Sequence, residues 1–139
     1  MSVEIIQTSA AQLYAIRHRN LRIGQPVGTE RMPGIDENPH TVHLLLRVNG
    51  EGVGCATFMP EQNQNSKWRL RGMAIDEGYR RRGYGKKLID FFTLKHGSSI
   101  WCNARTSACK FYQYCGFVAE GDEFDIALIG PHYVMRYTS

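Results

Sequence analysis

The chain has 139 residues, of which 42% are hydrophobic, 22% charged and 11% aromatic, a composition that excludes a disordered or low-complexity segment and allows one domain over residues 1–139 with one core. No apolar run approaches the ~18 to 20 residues that span a bilayer, and the start MSVEIIQTSA lacks a basic region followed by an apolar one, so membrane insertion and secretion are not expected. A net charge of +4 is mild, but Arg80, Arg81, Arg82, Lys86 and Lys87 fall within eight positions and call for an anion or solvent to face them.

Val3 to Gln7 reads as a strand, and Ser9-Ala10-Ala11-Gln12 has the spacing of a capping box opening a helix to about Arg22, with Leu13, Ile16 and Leu21 on one face. From Ile23 to His40 the chain holds three glycines and three prolines. A connection this long in so small a protein is expected to cover a site. Thr41 to Val48 and Glu51 to Met59 flank Asn49-Gly50, the dipeptide of a two-residue hairpin turn, and are expected to pair as antiparallel strands. A polar turn over Glu61 to Ser66 leads to a third strand, Lys67 to Asp76. A helix follows from about Gly83 to His96, with Leu88, Ile89, Phe91, Phe92 and Leu94 as its apolar side chains and Gly97 as its stop. Ser98 to Asn103 is a strand, and Thr106 or Ser107 caps a short helix in which Ala108, Phe111, Tyr112 and Cys115 recur at helical spacing. Two further strands surround Gly130-Pro131. The order β α (loop) β β β α β α β β specifies an α+β, or mixed α/β, fold on a twisted, mostly antiparallel sheet of six to seven strands.

The segment Arg80-Arg81-Arg82-Gly83-Tyr84-Gly85-Lys86-Lys87 lies between a strand and a helix, where unpaired N–H groups and the helix dipole bind phosphate. A dinucleotide fingerprint would need glycine where Leu88 stands. A P-loop starting at Gly78 would need Lys and then Ser or Thr after Gly83, where Tyr84 and Gly85 stand. Both readings fail. The four cysteines, Cys55, Cys102, Cys109 and Cys115, form no CxxC pair and sit in apolar segments, which suits buried thiols in a reducing cytoplasm. His40 and His43 enter a strand on different faces, so they and Asp36 are not expected to bind metal.

The spacing Arg80-x-x-Gly83-x-Gly85, preceded by Arg71-Gly72-Met73-Ala74-Ile75-Asp76, resembles the cofactor motif of the GCN5-related N-acetyltransferase (GNAT) family. Ala108-x-x-Phe111-Tyr112-x-x-x-Gly116-Phe117 is similar to the family's motif for the helix facing the thioester. The resemblance runs from about Leu13 onward, and Trp101 to Arg105 with Ile129 to His132 is similar to a bacterial subgroup of small members. Arg105 stands where many members carry a cofactor-contacting Asn.

The resemblance implies acetyl-CoA as co-substrate, with its pyrophosphate on Arg80, Arg81, Arg82, Gly83, Tyr84, Gly85 and Lys86. It implies a bulged strand splayed from its neighbour, with backbone groups of Met73, Ala74 and Ile75 on the pantetheine and the acetyl carbonyl. Tyr112 is then the catalytic acid that protonates the departing sulfur. The base stays open among Glu30, Asp36, Glu37, His43 and a water chain. His132 reads as a hydrogen-bonded structural residue rather than a base. The acceptor is an amine of a small molecule or of a protein, and no nucleic acid, membrane or metal partner is expected. The molecule is expected to be a cytoplasmic monomer or homodimer. A non-catalytic CoA-binding or ligand-sensing module on the same fold is the alternative.

Overall fold

In the computed structural model, which describes residues 2–138, seven strands form one sheet in the order β1-β2-β3-β4-β5-β7-β6. The strands are β1 (Val3–Thr8), β2 (Val42–Val48), β3 (Glu51–Asn63), β4 (Ser66–Ile75), β5 (Ile100–Arg105), β6 (Phe117–Ile126) and β7 (Gly130–Tyr137). The helices are α1 (Tyr14–Leu21), α2 (Tyr84–His96) and α3 (Cys109–Tyr114). Every neighbouring pair is antiparallel except β4 and β5, which are parallel. The mixed α/β architecture and the element order are those the sequence specifies.

Helices cover both faces of the sheet, which is why β2 and the middle of β3 read as unbroken apolar runs. On one face α2 lays Leu88, Ile89 and Phe92 against Leu44, Leu46, Ala56 and Phe58, with the Phe58 and Phe92 rings stacked at 3.9 Å. On the other, Leu13 and Ile16 pack against Leu45, Cys55 and Ala74. Phe91 and Leu94 are exposed rather than part of the apolar face of α2. At 100° per residue they fall outside the arc shared by Gly85, Leu88, Ile89 and Phe92.

Several boundaries differ from expectation. Neither Thr106 nor Ser107 caps α3; Thr106–Ala108 is a 3-10 turn, the Thr106 hydroxyl donates to Glu123, and the α-helix begins only at Cys109. Ser9 makes no side-chain cap; Ala10–Leu13 is a 3-10 turn closed by Gln12 N–H to Ser9 O at 3.2 Å, and the α-helix begins only at Tyr14. β3 runs on to Asn63 instead of yielding to a turn at Glu61, because β4 pairs along it as far as Asn63 opposite Ser66. Gly130 opens β7 rather than forming the turn, so Pro131 sits at a strand start, where a missing N–H is tolerated. The Asn49-Gly50 turn forms as read, with φ of 51° and 85°, the double left-handed geometry that suits a right-twisted hairpin.

Candidate active site

The sheet opens beside β4. This strand pairs with β5 only through Trp68–Ile100 and Arg69–Trp101, and among the described residues no strand covers its β5-facing edge from Leu70 onward. A bulge turns it away: the step from Arg71 to Ala74 opposes the shorter step from Thr57 to Cys55, with Gly72 at φ +61°. Asp76 N–H donates to Val53 O at 2.8 Å. Antiparallel alternation therefore directs the Ala74 N–H at β3 and turns those of Met73 and Ile75 into the opening. The Ile75 carbonyl faces the same way and accepts from Arg80 Nε at 2.8 Å.

The chain then passes through a 3-10 turn, Glu77–Tyr79, into the basic loop. Arg81 has φ +64° and Gly83 φ +79°, and a left-handed arginine costs about 1–2 kcal/mol, strain that local function commonly explains. Where a left-handed residue follows a right-handed one, successive N–H groups turn toward one point, the geometry of an anion-binding nest. Gly83 is also the N-cap of α2, and no side chain caps the amides of that first turn. The basic side chains divide. Arg80 is turned back onto Ile75 O and Asn20, Arg82 lies 5.6 Å over the Tyr79 ring, and Lys86 pairs with Asp90 at 2.8 Å, while Arg81 has no side-chain partner among the described residues. Asp76 ties this corner to α1 through Arg19 at 2.6 Å and Asn20 at 2.7 Å. Burial opposes ionisation of Asp76, but those two bonds outweigh it and hold the carboxyl below its ordinary value.

Loop, open edge and α3 enclose a cavity of about 790 Å³, within the usual size of a cofactor site. Met73, Ala74, Ile75, Arg80, Arg81, Gly83, Tyr84, Gly85 and Lys86 all line it; Arg82 does not. A side chain at Gly85 would run into Phe111 Cζ, so the absent Cβ is what lets α3 close on the start of α2. Tyr112 packs edge-on to Phe111 at 5.0 Å and Phe117 at 5.5 Å. Burial pushes its phenol well above the ordinary value.

A second cavity, about 270 Å³, adjoins the first, and Leu21, Met73, Ala108 and Tyr112 line both. Its outer wall is the long loop, pinned by Arg17, which is only 1% exposed. Arg17 donates to both Asp36 oxygens at 2.9 and 3.1 Å and to Thr57 Oγ1 at 2.7 Å. Asp36 is thereby committed to structure. Glu37 accepts from Gly34 N–H at 2.6 Å on the surface, and His43 is buried against Thr57, where burial lowers its pKa. Of the four expected bases only Glu30 lines this cavity; the Gly28 N–H at 2.8 Å holds its carboxyl below the ordinary range. His132 lines it as well. Its Nδ1 donates to Gly130 O at 2.8 Å, in line with the hydrogen-bonded residue read from the sequence, and in the neutral ring that tautomer places the lone pair on Nε2. Sequence reasoning also passed over Asn20 and Leu21, whose helix meets the site only through the fold.

Burial raises the Cys55 and Cys102 thiols to about 12 and Cys115 to about 11; all three are free and inert. Among the described residues no three His, Cys, Asp or Glu side chains group as a metal site, and no helix is long and apolar enough to cross a membrane.

Residues 39–119 match the family model described as an acetyltransferase (GNAT) domain. The chain is 35% identical to the uncharacterized N-acetyltransferase YitI of Bacillus subtilis over 144 aligned residues, covering 98% of this chain and 96% of that one. Among solved structures, Escherichia coli ElaA superposes with a TM-score of 0.76 at 21% identity, covering 99% of this chain and 100% of its own. An aminoglycoside 6'-N-acetyltransferase complexed with coenzyme A gives 0.75 at 14% identity, covering 95% and 94%.

Proposed function

The chain belongs to the GNAT family of acetyltransferases, and from that membership we propose that it transfers the acetyl group of acetyl-CoA to a primary amine by direct attack. The observation that carries the reading is the meeting of two cavities at Met73 and Tyr112. The larger suits acetyl-CoA: a left-handed nest and an uncapped helix start for phosphate, then an unpaired strand edge for an extended amide chain. Bound there, acetyl-CoA supplies an activated acyl carbon and a thiolate leaving group. The N–H of Met73, aimed into the opening, polarises the acyl carbonyl, while Ile75 holds the pantetheine arm. Tyr112, protonated at neutral pH as tyrosines ordinarily are, donates to the sulfur. The smaller cavity admits the amine, and His132, read from the sequence as structural rather than as a base, takes its proton at Nε2. The whole chain then acts as one catalytic domain.

The experiment is release of free CoA thiol from acetyl-CoA over an amine panel, with mass detection of the N-acetyl product. We expect amine-dependent release, reduced at least about 100-fold in His132→Gln with CoA affinity kept. CoA binding without acetylation of any amine would instead favour a non-catalytic CoA-binding module.

A further inference from the structure

The walls of the smaller cavity are cationic out of proportion to its acids. Arg17, Arg22, Arg69, Arg71 and Arg105 line it, against Glu30 as the one carboxylate among the described residues. Two of these cations are neutralised, Arg17 by Asp36 at 2.9 Å and Arg69 by Glu61 at 3.3 Å. Arg22 bonds only to the carbonyls of Thr29 and Leu21, which balance no charge. Arg71 and Arg105 have no side-chain partner among the described residues. Arg71 is half-buried; that burial, and then the like charges of Arg69, Arg22 and Arg17, outweigh the attraction of Glu61, which Arg69 already engages, and weaken its hold on its proton. A guanidinium partly removed from water beside other cations, with no acid of its own, is stabilised by an incoming anion.

Its position selects the anion's chemistry. Arg71 is two residues from Met73 on β4, across the Gly72 bulge, so at about 3.3 Å per residue its backbone lies within about 7 Å of the opening's first N–H donor. An arginine fork matches a planar carboxylate through two parallel hydrogen bonds. A cavity of about 270 Å³ takes a molecule of amino-acid size. We propose that the acceptor is a small amine that itself carries a carboxylate, held by Arg71 so that its amino group reaches the junction of the two cavities. This rests on the acetyl-transfer reading above, whose separate failure would show as absence of CoA binding or of acetylation on any amine.

The test is a set of matched pairs: the common amino acids and β-alanine, each beside its own carboxamide, with O-phosphoethanolamine as a phosphate-bearing amine. Acetylation is followed with acetyl-CoA, and binding of each compound to the CoA-saturated protein is followed by calorimetry. At least one carboxylate is expected to bind and react about 10- to 100-fold better in kcat/KM than its carboxamide, the range of a charged hydrogen bond. Arg71→Gln is expected to erase most of that ratio through KM, Arg71→Lys to restore part of it, and both to bind CoA as wild type does. The proposal is overturned if carboxamides or simple diamines react as well as the carboxylates. It is equally overturned if O-phosphoethanolamine is preferred, if none of the carboxylates binds, or if Arg71→Gln leaves the ratio unchanged.

Discussion

Tyr112 can be tested by removing one atom. Its ring packs between Phe111 and Phe117, and Tyr112→Phe keeps that packing. Stability and CoA affinity are therefore expected to stay near wild type, while kcat falls toward the lower end of the ~100- to 10,000-fold range of general acid catalysis. A loss within about twofold, measured with an accepted amine under chemistry-limited turnover, would make Tyr112 a packing residue. Asp76 yields a prediction of opposite kind, about stability. Its folded pKa lies below its ordinary value of 3.8, so its contribution is complete above that value and is lost as pH falls through the folded one. The thermal midpoint is accordingly expected to drop below about pH 4. Asp76→Asn should flatten that drop and lower the midpoint at neutral pH. An acid limb unchanged in the variant would remove Asp76 from the balance.

Elements meet at this site through small residues that only the fold explains. Gly85 reads in sequence as a phosphate-loop glycine, and its further reason lies 26 positions on: Phe111 Cζ occupies the place a Cβ would take. Gly85→Ala must displace that ring, and the Tyr112 ring packed edge-on to it at 5.0 Å is expected to shift in turn. CoA affinity and kcat are both expected to fall by about tenfold or more in Gly85→Ala, and the double variant Gly85→Ala with Phe111→Leu should recover part of each. Strictly additive losses would show that the two sites do not communicate. The long loop carries the same lesson. Its glycines and prolines marked it as a connection over a site, but its anchor, Arg17 on Asp36, pairs a helix position with a loop position 19 residues away. No periodicity signals such a pair, because an arginine inside a helix normally faces water.

At the scale of the whole molecule, the element order and the glycine- and arginine-rich turn before α2 were legible because they are local: alternation, hairpin dipeptides, glycine spacing and helical period act over fewer than about 15 residues. The 3-10 start of α1 and the extension of β3 to Asn63 were not, since pairing with β4 decides the latter and no side chain caps the former. The division of labour at the opening was also hidden. Met73, Ala74 and Ile75 look equivalent in sequence, and only the register with β3 turns Met73 and Ile75 outward and Ala74 inward. The acceptor side depends most on long-range assembly, and four candidate bases in the sequence reduced to Glu30, joined by His132 from a strand over 100 residues away. The donor side is thus the part of the account on which everything else rests, and calorimetric titration with CoA tests it most directly. Wild type is expected to bind CoA with affinity that weakens as salt rises, since the ligand's phosphates meet cations and helix amides. Gly83→Val, which forces a β-branched residue to φ +79° at the nest, is expected to weaken binding at least about tenfold while the protein stays folded. Absence of CoA binding by the wild type at low salt, or equal affinity in folded Gly83→Val, would contradict the account.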